Sequence, residues 1–306
     1  MPAIMVEDLR VTYAPKGRPV VEAVRGVSFG VEEGEVFGLL GPNGAGKTST
    51  LEVCEGFRPA TAGTVRVLGR DPGDRIAAGQ LRREVGIVLQ DIAVEPFLTV
   101  REAITRNAGY YTDPRPVDEV IEVVGLAEKA DARVRTLSGG QQRRLDLALG
   151  IVGRPRLLFL DEPTTGFDPA ARRGAWEVIR GLRAGGTTVV LTTHYLEEAE
   201  ALADRVLVIA EGQVLAEGPP GSLAGRGTAT TRVRFQLAAG TRLPTLAGTS
   251  VEGGDSGWIT LTCQDVTRTL HELTGWALEH GVPLEGLVVE RASLEDVYLG
   301  LVGGAR

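Results

Sequence analysis

From Ile4 to about Ala216, short β-branched apolar runs alternate with stretches of helical periodicity, the pattern of an α/β domain. Val36 to Leu40 reads as a buried strand that feeds a glycine-rich loop, and a helix is predicted from about Lys47. Thr99 followed by Glu102 has capping-box spacing and opens another helix. Val117, Val120, Ile121 and Val124 recur at helical spacing and stop at Gly125, a residue suited to a left-handed terminus. Ser138 precedes a helix whose apolar stripe is Leu145, Ala148, Leu149 and Val152. Asp168-Pro169 combines a cap with proline at the first helical position. Thr187 to Thr192 and Arg205 to Ala210 are further predicted strands.

The texture changes at Gly218-Pro219-Pro220-Gly221. Beyond it, Val233 to Leu237 and Trp258 to Thr262 alternate like strands, Val266 to Leu278 is helical, Leu284 to Glu290 is strand-like, and Leu294 to Leu301 makes a short last helix. The expected division is a domain over residues 1–220 and a small α+β domain over 221–306. No internal repeat or low-complexity tract interrupts this scheme.

Composition narrows the function classes. The net charge of −7 argues against a nucleic-acid partner, whose phosphates call for an excess of Lys and Arg. No apolar run approaches the ~18 residues of a membrane span. Met1 to Arg10 carries Glu7 and Asp8 and lacks a signal-peptide core. Cys54 and Cys263 are far apart and show no metal-ligand spacing, which suits a reducing compartment. A cytoplasmic chain is expected, with any membrane role supplied by a partner. Lysine occurs only at Lys16, Lys47 and Lys129, so a lysine inside the glycine loop is conspicuous.

That loop, Gly41-Pro42-Asn43-Gly44-Ala45-Gly46-Lys47-Thr48, with Ser49 after it, fits the phosphate-cradling P-loop. Glycine lets backbone amides approach phosphate oxygens, and the helix start adds partial positive charge. Lys47 would contact the β- and γ-phosphates, and the Thr48 hydroxyl would ligate Mg²⁺. Asp161 ends the apolar run Leu157 to Leu160, where open α/β sheets bind ligands, and can hold Mg²⁺ directly or through water. Glu162 beside it is the natural general base for the attacking water; the plainer alternative is a solvated strand-end carboxylate.

With Leu137-Ser138-Gly139-Gly140-Gln141 between the P-loop and Asp161-Glu162, the chain resembles an ATP-binding cassette (ABC) ATPase from about Ile4 to Ala216. The resemblance implies a P-loop NTPase fold with a helical subdomain, and ATP and Mg²⁺ as cofactors. It implies that the signature Leu137 to Gln141 of one subunit closes over the γ-phosphate held by another, in a homodimer or heterodimer of ATPase subunits. Gln90 resembles the glutamine that contacts Mg²⁺ and water and senses the partner domain. His194 resembles the switch histidine at the γ-phosphate, and Asp168 the loop aspartate that crosses the dimer interface. Phe167 stands where the family usually has leucine. Tyr13 sits where the family places an aromatic that stacks on adenine, although a core strand position is equally open to it. Lys47, Gln90, Asp161, Glu162 and His194 are all present, so a competent ATPase is expected.

Ser293 to Leu299 and the preceding small domain resemble the tail of daunorubicin-resistance-type exporter ATPases. That resemblance implies a separate integral membrane permease, a peripheral position on the cytoplasmic face of the membrane, and export of a drug-like, natural-product or lipid substrate. The competing class is a soluble ABC protein of translation or DNA repair. Tandem cassettes or long coiled-coil insertions mark that class, and neither is evident here.

Overall fold

The computed structural model describes residues 2–14, 17, 19–88, 94–223, 231–238, 241, 243–253 and 257–291. It divides into two compact units, Met1–Pro219 and Pro220–Arg306. Gln90 and the predicted final helix, 294–301, lie outside the described residues.

In the first unit, β1 (Ile4–Tyr13) and β2 (Val21–Val31) precede β3 (Val36–Leu40), which leads into α1 (Lys47–Cys54). Next come β4 (Ala62–Val67), α2 (Arg75–Glu84) and β5 (Val85–Val88). A helical stretch follows with α3 (Val100–Ala108), α4 (Val117–Val123) and α5 (Gly139–Ile151). The unit then runs through β6 (Leu157–Asp161), α6 (Pro169–Ala184), β7 (Thr188–Thr193), α7 (Leu196–Leu202), β8 (Arg205–Ala210) and β9 (Gln213–Gly218).

The main sheet has the order β5-β6-β7-β3-β8-β9 and is parallel except for β9, which pairs antiparallel with β8. Every residue of β3, β6 and β7 is buried, as expected of parallel strands covered on both faces. Alternate side chains therefore serve two cores. Val36, Leu158, Leu160 and Val189 pack with Ile104, Val120, Leu145 and Ile151 of α3, α4 and α5. Phe37, Leu39, Leu157 and Phe159 pack with Leu51 of α1 and with Val6, Leu9 and Phe29. The last three belong to an antiparallel sheet ordered β2-β1-β4, whose half-exposed β1 alternates buried and exposed positions. The apolar pattern alone did not separate this second sheet from the main one.

The predicted caps form. Thr99 accepts from the Glu102 amide while Glu102 accepts from the Thr99 amide, and Ser138 and Gln141 do the same at α5. Asp168 accepts from the Ala170 and Ala171 amides with Pro169 behind it. Gly125 takes a φ of 67° just past α4. The strand expected over Thr187 to Thr192 runs one residue later, because the Thr187 hydroxyl turns to the Pro155 carbonyl before pairing begins.

The second unit holds α8 (Pro220–Leu223), then β10 (Thr231–Gln236), β11 (Thr249–Gly253), β12 (Trp258–Cys263), α9 (Val266–His280) and β13 (Glu285–Arg291). Its antiparallel sheet is ordered β11-β12-β10-β13, and Leu273 of α9 joins Val233, Phe235, Leu261 and Cys263 in one core. α9 extends past the predicted Leu278 and is stopped by Gly281 at a φ of 62°. β11 escaped the pattern because five residues, one of them glycine at its end, offer too little alternation.

Among the described residues the first unit has two hydrophobic clusters of its own. A chain ending at Pro219 is therefore expected to unfold cooperatively at nearly the full-length midpoint. Thermal melts of both chains, followed by circular dichroism, check this; aggregation of the shorter one on expression would refute it.

Candidate nucleotide site

The carboxyl ends of β6, β7 and β3 lie side by side, and open α/β sheets bind ligands at such ends. β3 runs into Gly41–Gly46, β6 ends at Asp161 and β7 leads to His194. The loop wraps the start of α1 with Gly46 at a φ of 102°, where an added Cβ would lie 2.4 Å from the Ala23 carbonyl oxygen. Only glycine fits there, and α1 then presents an N-terminus without a side-chain cap, a ready anion site. Beside it opens a cleft of about 780 Å³ lined by Tyr13, Asn43, Lys47, Ser49, Glu162 and Glu211, among others.

Lys47 is buried, and its Nζ donates to the carbonyls of Gly41 at 2.8 Å and Pro42 at 3.2 Å. Burial lowers its pKa, an effect that the charges of Glu162 and Asp161 offset only in part. Asp161 is also buried. Desolvation raises its pKa, opposed by the Thr192 hydroxyl, which donates to Oδ1; the Glu162 charge adds to the rise, and Lys47 and Thr48 oppose it. Its other oxygen, Oδ2, faces the Thr48 hydroxyl at 3.5 Å.

Two hard oxygen donors, the Thr48 hydroxyl and the buried Asp161 carboxylate, thus converge. That donor set suits Mg²⁺, which prefers one or two carboxylates plus phosphate and water over an all-protein cage. Among the described residues no three His, Cys, Asp or Glu side chains cluster as such a cage.

Glu162 is held from several sides. Its backbone takes the left-handed φ of 48°, a strain of about 1–3 kcal/mol for a residue other than glycine. The Glu162 amide donates to the Thr192 hydroxyl at 3.0 Å, and Arg143 of α5 donates to the carbonyls of Asp161 and Glu162 at 2.9 and 3.3 Å. Its Oε2 accepts from the Thr165 hydroxyl at 3.2 Å. Its Oε1 lies 4.0 Å from Lys47 Nζ and 3.2 Å from His194 Nδ1. The histidine contact has the distance of a hydrogen bond without its alignment, and Nδ1 is buried without another partner. A carboxylate and an imidazole thus share the end of the phosphate loop, an arrangement able to polarise a water beside a bound γ-phosphate.

Tyr13 also reaches this cleft. Its hydroxyl and the Ser49 hydroxyl are 2.8 Å apart, and the Arg58 guanidinium covers one ring face at 4.4 Å from the centroid. The remaining predicted residues lie elsewhere. Leu137 is buried, whereas Ser138 and Gly139 are exposed, and a Cβ at Gly139 or Gly140 would meet nothing within 4 Å. None of residues 137–141, nor Asp168, lines the cleft of its own chain. Sequence reasoning missed Thr192 and the role of Arg143. Thr192 carried a signal, since a polar residue closing an apolar strand next to a histidine points at the same sheet edge as Asp161.

Residues 24–165 match the family described as ABC transporter, and residues 231–293 match the family described as ABC transporter domain-containing protein-like, C-terminal domain. The Nod factor export ATP-binding protein I of Ralstonia nicotianae is 38% identical over 313 residues, covering 99% of this chain and 94% of that protein. The chain belongs to the ABC transporter ATP-binding proteins. A daunorubicin resistance ATP-binding protein of Streptomyces coeruleorubidus is 36% identical over 99% of this chain and 97% of its own length. The dimeric structure of a bacterial ABC transporter cassette superposes with a TM-score of 0.64, with 25% identity over 71% of this chain and 98% of that one. As an ABC ATPase, the protein binds and hydrolyses ATP.

Lys47→Ala removes a charge-assisted contact to phosphate worth about 1.5–3 kcal/mol, so ATP affinity should fall about ten- to hundredfold. Calorimetric titration of both proteins with ATP checks this, and unchanged affinity would refute the placement.

Proposed function

We propose that this chain is the ATP-hydrolysing subunit of a membrane exporter that moves a drug-like, natural-product or lipid substrate through a separate permease. The observation that carries the reading is whole-length similarity to two ATP-binding proteins named for export and drug resistance, joined to an intact cluster of Lys47, Asp161, Glu162 and His194. No helix among the described residues is long and apolar enough to cross a membrane. The proposed position is therefore peripheral, on the cytoplasmic face, against an integral membrane permease.

The signature supports a two-copy site. Gly139 and Gly140 form the first turn of α5 beside the Ser138–Gln141 capping box, with open space where a Cβ would stand, and the helix dipole there favours an anion. In the proposed dimer, of identical or related ATPase subunits, they meet the γ-phosphate of ATP held by Lys47 of the other copy. Asp168 lies in the loop that crosses between copies. Thr48, Asp161 and Gln90 would hold Mg²⁺, which supplies charge neutralisation at the β- and γ-phosphates. Tyr13, which lines the cleft, would stack on adenine. Glu162 acts as the general base, taking a proton from the attacking water at Oε1 beside His194. Phosphoryl transfer needs positioning and charge stabilisation above all, and the bonds from Thr192, Thr165 and Arg143 provide the first. Closure on ATP and release after hydrolysis then drive the permease, because the nucleotide binds the two arrangements with different affinity.

Loss of a general base slows the chemical step by roughly 10²–10⁴. Glu162→Gln is expected to bind ATP normally, to hydrolyse it at that reduced rate and to accumulate as a nucleotide-bound dimer. Steady-state phosphate release and gel filtration with ATP read both effects. Wild-type turnover by this variant would remove Glu162 from the role.

A further inference from the structure

The helix that begins in the phosphate loop ends at a second, differently built site. α1 closes in a Schellman motif: the Phe57 amide donates to the Glu52 carbonyl at 2.9 Å, and Gly56 donates to Val53 at 3.1 Å. Gly56 takes a φ of 78°, and a Cβ there would lie 2.7 Å from the Pro72 carbonyl oxygen. The motif fixes Glu55 at the C-cap, where it borders a groove of about 560 Å³.

The walls of that groove are largely apolar or aromatic, formed by Phe57, Leu81, Ile87, Tyr110 and Tyr111. Phe57 and Tyr110 are 60% and 75% exposed. Glu55 Oε1 is buried there with no hydrogen-bond partner among the described residues. Its position is adverse on two further counts. A carboxylate at a helix C-terminus faces the negative end of the dipole, and the last turn of α1 carries no basic residue. The nearby cation Arg58 is committed to Glu52 at 2.6 Å. Burial, with added repulsion from Asp161 and Glu52, pushes the Glu55 pKa up to about 8. Arg82 and Arg83 line the same groove, and neither forms an ion pair with Glu55 among the described residues.

We propose that Glu55 is the specificity-determining anchor for a single Lys or Arg side chain on a cytoplasmic segment of the permease, with apolar flanks seated on Phe57 and Tyr110. This rests on the reading of the chain as the ATPase of a membrane permease and names the chemistry that joins the two. Charge complementarity selects the occupant: a half-buried carboxylate with one oxygen buried and unpartnered favours a cation, whereas Arg82 and Arg83 disfavour a generally basic segment. The geometry also gives the contact a consequence. α1 has the docking carboxylate at one end and the phosphate-binding lysine at the other, 8 residues apart, so a load on Glu55 acts along the helix that cradles nucleotide.

The test uses the full-length chain and its permease reconstituted together in lipid nanodiscs, with each Lys and Arg of the permease's cytoplasmic loops changed in turn to Gln. Glu55→Gln should weaken association about thirtyfold or more, the scale of removing one member of a buried charged pair, and leave basal ATPase activity unchanged. One permease position should show the same loss, with no further loss in the double variant, and exchanging the two charges should restore binding. If Phe57→Ala and Tyr110→Ala weaken association while Glu55→Gln does not, the cation is overturned and the groove stands. If none of the three has an effect, the docking reading itself fails.

A stability measurement separates folding from docking. The fold favours the neutral Glu55, so the stability it contributes is full below the ordinary 4.5 and is lost as pH rises through about 8. In the free chain, Glu55→Gln should therefore gain in melting temperature over wild type as pH rises toward 9. A difference constant with pH would overturn the buried, uncompensated carboxylate on which the proposal stands.

Discussion

Asp161 stands opposite Thr192 in the β6–β7 register, and the geometry of the cleft follows from that pairing. Thr192 donates its hydroxyl to Asp161 and accepts the Glu162 amide, so one side chain orients two consecutive acidic residues. A slip of one residue would turn Asp161 to the other face of the sheet. It would also exchange the two cores, because Leu160 packs toward α3 and α5 while Phe159 packs toward α1. The apolar packing that stabilises the sheet and the chemistry at its edge are thus enforced by the same register.

The same edge accumulates charge that the fold alone does not compensate. Lys47 and Asp161 are both buried, and desolvation dominates the pKa of each, lowering the first and raising the second. Each is therefore disfavoured in its charged form until a counter-charge arrives. A nucleotide with a divalent cation supplies both signs at once, a polyanion for Lys47 and a cation for Asp161. Glu55, at the far end of α1, repeats the situation with a single sign. One helix thus joins two places where the isolated chain carries an unmet electrostatic demand, and ligands of opposite charge would satisfy them.

The motif-bearing parts of this arrangement were legible in the sequence because their chemistry is local. A glycine loop between a strand and a helix, Asp161-Glu162 closing an apolar run, and the caps at Thr99, Ser138 and Asp168 all depend on neighbours within a few residues. What escaped was non-local. The β2-β1-β4 sheet depends on pairing β1 with a strand some sixty residues later, as in Ile4 with Val67. The role of Thr192 depends on a lateral neighbour from another strand, and that of Arg143 on a helix crossing behind β6. Glu55 was invisible for a different reason: a charged residue before a glycine reads as an exposed helix end, and only the groove around it reveals that one of its carboxylate oxygens is buried without a partner among the described residues.

Arg143 links the two halves of the mechanism proposed for the dimer. The N-terminus of α5 carries Ser138 and two unobstructed glycines, and Arg143, five positions on from Ser138, donates to the carbonyls of Asp161 and Glu162. Its guanidinium is buried, and planar donors of this kind fix orientation better than a flexible ammonium would. An anion engaged by the start of α5 would therefore press on a rod tied to the strained strand end that holds Glu162. In a two-copy arrangement that anion belongs to the other chain's nucleotide, while Glu162 serves the nucleotide of its own. Each copy would then sense occupancy at one site through the backbone that positions the carboxylate at the other. Coupling of this kind needs no long pathway, only one rigid helix and one buried arginine.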